Sequence, residues 1–165
     1  MNRVMLLETL RSFTENAVKD LIMPVKIQGE NEEQRYRAAE VYLMRLTDAS
    51  SAKKKVPYII HQVITGKDTQ TPGDLDTSST TIRTIFAVYN DDGQEGGLML
   101  LNLMERLRIA LLRKGVIGDQ FQLDRSAGLE CIIYPDDTAP YFAGEMSTVW
   151  RMPAVEREVD PRWKM

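Results

Sequence analysis

The residues best suited to chemistry in this 165-residue chain are few and far apart in sequence. His61 is the only histidine and Cys131 is the only cysteine, so a thiolate–imidazole nucleophile would require these two residues to meet in the fold. A single histidine excludes zinc sites of the HExxH type and sites built from several histidines. We expect Cys131, which lies inside the apolar run LECIIY, to be a small core residue.

Acidic side chains cluster in two segments that are more typical of turns than of reaction centres. If Gly93 in NDDGQEGG is aligned with the turn glycine of a calcium-binding loop, the first and twelfth positions fall on apolar residues that cannot supply oxygen ligands. Asp136, Asp137 and Glu145 are the other candidates for acid–base work. Aspartate beside proline in PDDTAP is common in turns, so we expect neither a metal site nor a catalytic carboxylate pair.

Motifs for phosphate binding and nucleophilic catalysis do not occur in the sequence. It contains no GxxxxGK[ST], GxGxxG or GxSxG segment. The basic run Lys53, Lys54 and Lys55 is open to two interpretations, a solvated loop or a contact with phosphate or an acidic partner. Its neighbours SSA and VP offer no aromatic platform of the kind that single-strand binders use. We therefore expect no catalytic residue and no cofactor, and hence a protein that is not an enzyme.

Composition predicts one soluble domain over residues 1–165. The hydrophobic share of 43% and the charged share of 27% are ordinary for a globular protein, and a formal net charge of −3 gives no general attraction to nucleic acid. One cysteine fits a reducing compartment. The sequence has no run of about 18 apolar residues that would span a membrane, and its N-terminus lacks the apolar run of about 7–15 residues of a secretion signal.

Two amphipathic helices are predicted from the spacing of apolar residues. The first covers residues 3–22 and stops before Pro24. The second covers GGLMLLNLMERLRIALLRKG, residues 96–115, between an acidic turn and a basic last turn that ends at Gly115. Its core stripe has the spacing i, i+3, i+4, i+7 and i+11 and consists of Leu100, Leu103, Met104, Leu107 and Leu111.

The second helix has more apolar residues than one core stripe requires. Outside the stripe lie Leu98, Leu101, Ile109 and Leu112. Burying such a side chain contributes about 1.5–3 kcal/mol, so leaving several in water would forgo much of a domain's marginal stability. We expect either another layer of the same chain or a partner subunit to cover them.

Strands are predicted on both sides of the second helix, in VPYIIHQVITG and TIRTIFAVY before it and in FQL, LECIIY and FAGEMSTVWRM after it. Residues 29–46 stay open, because propensity favours a helix whereas the alternation at their end is typical of a strand. Residues 47–55 and the breaker-rich residues 67–80 are predicted loops, the second being the longest. This order predicts an α+β domain, a small antiparallel or mixed sheet of about four to five strands with the N-terminal helix and the long central helix packed on it.

Several segments match a known family in their order along the chain. They are a strand ending in VYN, an acidic glycine-rich turn, LNLMERLRIALLRKG, FQL and PDDTAPYFAGEMSTVWRMPAVERE, preceded by VPYIIHQVITGKD. Together they resemble the tail terminator (tail completion) proteins of tailed bacteriophages. The aromatic-rich last strand of that family, with its Gly-Glu and nearby proline, is matched by Tyr141, Phe142, Gly144, Glu145, Trp150 and Pro153. The resemblance covers roughly residues 36–157 and favours a strand at about 38–46.

The resemblance implies a structural protein of the virion. Tail terminators form a ring, commonly hexameric, that caps the finished tail tube, ends its polymerisation and joins the tail to the head connector. The implied partners are further copies of the chain, the tail tube protein, the head–tail connector or neck protein, and the sheath where a tail is contractile. Genomic DNA passing through the lumen would be touched only transiently. The implied location is the tail–neck junction, after assembly in the cytoplasm of the bacterial host.

Candidate interface residues follow from this expectation. They are Leu98, Leu101, Ile109 and Leu112 of the second helix, the run Lys53, Lys54 and Lys55, and Trp163. Trp163 lies in a tail from about residue 154 that is either a docking arm or disordered. Two alternative functions stay open: another neck or head–tail joining protein, and a small binding module or enzyme unrelated to virions.

Overall fold

A computed structural model describes residues 2–27, 29, 32–47, 55–135 and 138–158 of the chain. Within them, two helices and nine strands follow one another in this order: α1 (Arg3–Val18), β1 (Met23–Pro24), β2 (Tyr36–Arg37), β3 (Glu40–Leu43), β4 (Tyr58–Thr69), β5 (Thr77–Tyr89), α2 (Gly93–Lys114), β6 (Val116–Ile117), β7 (Phe121–Leu123), β8 (Glu130–Ile133) and β9 (Tyr141–Met152).

Seven of the strands form one curled, mixed sheet in the order β3-β4-β5-β9-β7-β6, and β8 pairs with β9 beside β7. The β3–β4 pair is parallel and the other pairs are antiparallel. The predicted α+β class is confirmed, but the predicted number of four to five strands is wrong. Strands such as β2 and β6 contain only two residues, too few to show an alternation that could be recognised in the sequence.

The core lies between one face of this sheet and the two helices. α1 packs on β3 and β4, α2 packs on β5 and β9, and the helices contact each other. All five residues of the predicted α2 core stripe are buried. The strands predicted in TIRTIFAVY and FAGEMSTVWRM are present as β5 and β9, where Ile82, Phe86, Met146 and Trp150 are fully buried against the helices.

Element boundaries differ from the predictions at two places in the first third of the chain. α1 ends at Val18, four residues before the predicted end, where the Val18 carbonyl accepts a hydrogen bond from the Leu21 amide. The strand expected at about 38–46 is present as β3, Glu40–Leu43. It ends where Met44 adopts a positive φ of 68°, which interrupts the extended backbone.

The loop predicted at 67–80 is only half as long as expected, because its two ends belong to strands. β4 continues to Thr69 and β5 begins at Thr77, which leaves only residues 70–76 as the hairpin turn. The Oγ1 atoms of Thr69 and Thr77 lie 2.6 Å apart, and the Ser78 hydroxyl donates to Asp68 at 2.6 Å. Short polar side chains thus pair across a solvated hairpin that resembles a loop in composition.

Candidate functional site

His61 is sealed inside the core between α1, β4 and β5. Its Nε2 lies 2.8 Å from Thr14 Oγ1 and its Nδ1 lies 2.8 Å from Thr84 Oγ1, so both ring nitrogens are engaged. Burial, with a smaller contribution from the nearby Arg11 charge, lowers the pKa of His61 to about 3. This neutral, inaccessible imidazole on β4 forms hydrogen bonds to α1 and β5 and is not placed to act on a substrate.

Cys131 is exposed on β8, so the prediction that it is a core residue is wrong. The reason is its position: β8 lies at an edge of the sheet, and all four of its residues are exposed. Because both nitrogens of His61 bond to threonines, the structure does not join the two residues as a nucleophile and base.

The acidic candidates have structural roles where they are described. Asp92 caps α2, accepting hydrogen bonds from the Gln94 and Glu95 amides at 3.0 and 3.1 Å. Glu145 pairs with Arg83 on the outer face of the sheet at 3.4 Å. Asp136 and Asp137 lie outside the described residues. The part of the chain that is described contains no group of three or more His, Cys, Asp or Glu placed to hold a metal ion.

Only one residue of the basic run falls within the described residues, since Lys53 and Lys54 lie outside them. Lys55 Nζ donates to Thr47 Oγ1 at 2.6 Å and lies 5.7 Å from the centroid of the Tyr42 ring. Tyr42 in turn contacts Tyr58 edge-on. The fold therefore brings the Tyr42 ring beside Lys55, although the two residues are 13 positions apart in the sequence, a proximity that sequence reasoning missed.

Three of the four predicted interface residues of α2 form an exposed apolar row. Leu98, Leu101 and Ile109 are 55%, 42% and 41% exposed. Eleven residues make about three helical turns, so Leu98 and Ile109 lie on one line of the helix, and Leu101 is next to it. We call these three residues the α2 stripe. Leu112 differs, because it is partly buried and packs against the core of its own chain.

The α2 stripe belongs to a well-anchored helix. Asp92 caps its start, Gly115 donates its amide to the Leu111 carbonyl at the end, and Arg113 and Lys114 occupy the last turn. Glu105, within the row, forms a 2.6 Å ion pair with Arg108. The stripe is thus a fixed surface of the fold, separate from the buried face that already fills the core.

β8 is a second exposed apolar feature, and sequence reasoning assigned it to the core. Ile132 and Ile133 are 44% and 46% exposed. β8 and α2 both lie close to Gly144 of β9. A Cβ added to this glycine would come within 2.8 Å of the Ile132 carbonyl oxygen on β8 and within 2.9 Å of Met104 Sδ on α2. An uninterrupted apolar run in a sequence does not reveal that its strand is the last one on its side of a sheet.

An open groove of about 740 Å³ lies between the start of α1, the β4–β5 hairpin and the segment after β9. Arg3 crosses it, donating to Thr80 Oγ1 at 2.9 Å and to the Ser79 carbonyl at 3.2 Å. Asp68 accepts from Ser78 and pairs with Arg3 at 3.4 Å. These polar groups therefore bond to one another within the groove.

The described residues thus include two exposed apolar features, the α2 stripe and β8. Trp163, the last predicted interface residue, lies outside them. None of the helices in the described part is long and apolar enough to cross a membrane. Comparison of the chain with protein-family models and with curated proteins finds no match.

Proposed function

We propose that this chain is a structural protein of a phage virion, a tail terminator whose ring caps the tail tube, ends its polymerisation and joins the tail to the head connector. The observation that carries the proposal is the α2 stripe, three large aliphatic side chains exposed on a helix whose opposite face fills the core. Exposed apolar rows on a fixed surface are typical of subunit interfaces. The resemblance of residues 36–157 to tail terminators supplies the family.

A ring accounts for exposed apolar groups at more than one place on the chain. A head-to-tail interface uses two different surfaces of every subunit, and it closes when the rotation between neighbours completes a circle. The α2 stripe and the exposed residues of β8 provide apolar groups for such contacts. We infer a homo-oligomeric, commonly hexameric, ring in the virion at the tail–neck junction, assembled in the bacterial cytoplasm.

The partners that this role requires bind the ring on its two faces. The tail tube protein binds one face and the connector or neck protein binds the other, with the sheath at the rim if the tail is contractile. DNA crosses the lumen without stable binding, which the formal net charge of −3 favours. We infer no enzymatic activity and no cofactor, since His61 is sealed in the core and the described acidic candidates are held by caps and ion pairs.

Charge placed on the α2 stripe tests the subunit interface. Leu101→Glu and Ile109→Glu each put a carboxylate where a neighbouring subunit would exclude water, and we expect association to weaken at least about tenfold. Gln70→Glu, at an exposed position of the β4–β5 turn away from α2, is the matched control and leaves association unchanged. Native mass spectrometry measures the oligomer. Circular dichroism should show that all three variants fold, since exposed substitutions change stability by about 0.5 kcal/mol or less.

A tube-capping assay tests the function itself. When the chain is added to polymerising tail tube protein, tubes should stop growing, and electron microscopy should show a ring at one tube end. Leu101→Glu should fail in this assay and Gln70→Glu should succeed. Binding to the connector without any binding to tubes would identify a neck protein. A chain that stays monomeric at high concentration and caps no tube contradicts the proposal.

A further inference from the structure

In the described part of the chain, the main sheet has free strand edges at β3, at β8 and at the two-residue β6. Among the described residues, β3 pairs only with β4 and β8 pairs only with β9. The exposed residues of β8 are Glu130, Cys131, Ile132 and Ile133, without lysine or proline. Native proteins usually protect free edges with such residues, with bulges or with a covering element, because free edges pair readily with other strands. β8 is therefore suited to pairing with a further strand.

Strand directions make β8 and β3 compatible partners between successive copies. β3 is parallel to β4, and each following step, from β4 to β5, from β5 to β9 and from β9 to β8, is antiparallel. β8 therefore runs opposite to β3. Rotation about an axis close to the strand direction preserves that direction, so β8 of one copy meets β3 of the next copy antiparallel. Such pairing satisfies backbone donors and acceptors on both edges.

The side chains of β8 and β3 also match on each face of the sheet. Cys131 lies opposite Met146, so it belongs to the helix-covered face of the sheet. On β3, Leu43 packs against the core and therefore points to the same face. An antiparallel register that aligns these faces puts Cys131 opposite Leu43 and Ile132 opposite Tyr42. Apolar side chains then meet apolar or aromatic side chains on both faces of the junction.

Opposite charges lie beside the two edges. Glu130 of β8 makes no ion pair with any described residue, and the same holds for Lys55, which lies beside the ring of Tyr42. In the register above, Glu130 is diagonal to Tyr42, so its carboxylate comes within reach of Lys55. Arg45, exposed just beyond β3, adds a second positive charge. The β8 edge is thus acidic beside the basic end of β3, and the one carboxylate of β3, Glu40, is already paired with Arg37 and accepts a hydrogen bond from the Tyr42 hydroxyl.

We propose that β8 of one copy pairs antiparallel with β3 of the next copy, so that the sheet continues from subunit to subunit. The occupant of the β8 edge is a second copy of this chain, and the inference rests on the proposed ring. Because α1 packs on β3 and α2 packs on β9, this junction also places α2 of one copy beside α1 of its neighbour. The β8 edge and the α2 stripe are then parts of one interface.

Disulfide cross-linking tests the register directly, because Cys131 is the only cysteine of the chain. Opposite residues of an antiparallel pair have Cβ atoms about 4.5–5.5 Å apart, close to the separation that a disulfide requires. Oxidised Leu43→Cys should therefore give a ladder of linked chains on a non-reducing gel, ending at the subunit number of the ring. Tyr42→Cys, on the same strand but the opposite face, is the matched control and should link far less. Leu43→Cys combined with Cys131→Ser should not link.

A charge exchange supplies a test that leaves the core untouched. Glu130→Lys and Lys55→Glu should each weaken association roughly two- to fivefold, as expected for an exposed ion pair. The double variant should recover the affinity of the wild type, because it restores the pair with its sign reversed. Analytical ultracentrifugation measures all four proteins, and additive losses in the double variant would contradict the contact.

The outcomes separate this inference from the proposed function. Rings that form normally while Leu43→Cys gives no ladder overturn the β8–β3 junction and leave the tail terminator role in place. Disulfide-linked dimers of the wild type, through Cys131 of both copies, show that β8 pairs with itself and likewise overturn the junction. A wild-type chain that stays monomeric and caps no tubes contradicts both proposals together.

Discussion

At the scale of single residues, His61 shows how burial changes the response of a protein to pH. Its pKa is lowered to about 3 by burial and by the Arg11 charge, whereas a histidine in an unfolded chain has a pKa of about 6.5. As pH falls below 6.5, His61 takes up a proton in the unfolded chain but stays neutral in the folded core. Stability contributed by neutral His61 is therefore fully present above about pH 6.5 and decreases as pH falls towards 3.

His61→Gln should remove this pH dependence, since glutamine hydrogen-bonds to threonine but does not titrate. Between pH 7 and pH 4.5 the wild type should lose about 2–3 kcal/mol of unfolding free energy more than the variant. Urea denaturation at a series of pH values measures the difference. Parallel pH profiles for the two proteins would show that His61 becomes protonated in the folded state over this range.

Cys131 is the residue whose surroundings the sequence predicted least well. In LECIIY every apolar neighbour indicates burial, and nothing local distinguishes a central strand from an edge strand. What exposes Cys131 is the pairing of β8 with β9 alone among the described residues, a contact between segments about fifteen positions apart. Burial of a single side chain in a strand depends on such topology, which local patterns do not contain.

At the scale of elements, the helices were more predictable than the strands. The core stripe of α2 and its terminal signals, Asp92 and Gly115, are local features, so periodicity and capping residues were sufficient to find them. The outer half of the β4–β5 hairpin was missed because it is rich in threonine, serine and aspartate, which usually indicate loops. There the cross-strand pairs stabilise the strands, and those pairs exist only once the register is set.

Helix–sheet packing depends on one of two adjacent glycines in α2. An ideal Cβ on Gly96 would overlap the ring of Phe142 on β9, whereas a Cβ on Gly97 would meet no atom within 4 Å. Gly96→Ala should therefore destabilise the fold by about 1–3 kcal/mol, the usual cost of overfilling a packed contact. Gly97→Ala should stabilise it by about 0.5–1 kcal/mol, because alanine favours a helix and loses less backbone entropy on folding.

Chemical denaturation of these two variants compares the same substitution at neighbouring positions. Opposite signs are expected, and the helix content of both variants should match that of the wild type. If Gly96→Ala stabilised the protein as much as Gly97→Ala, α2 and β9 would have to be further apart than the structure places them.

At the scale of the whole molecule, the candidate interface was predictable only in part. The α2 stripe follows from counting apolar residues around one helix, so Leu98, Leu101 and Ile109 were identified before the fold was known. Leu112 has a similar position on the helix, yet it packs against the core of its own chain. The β8 edge required knowledge of strand order, and the proximity of Lys55 to Tyr42 required the β3–β4 region to be folded.

Assembly should make the thermal stability of the molecule depend on its concentration. Neighbouring subunits bind only the folded chain. Above the dissociation constant, each tenfold rise in protein concentration therefore adds about 1.4 kcal/mol to the free energy of unfolding, which raises Tm by roughly 3–5 °C for a chain of this size. Scanning calorimetry from about 1 to 100 µM should show this rise for the wild type and for Gln70→Glu. Leu101→Glu should melt at a lower temperature at each concentration, because its association with neighbouring subunits is weaker. A wild-type Tm that does not change over this range would mean that the α2 stripe contributes nothing to assembly.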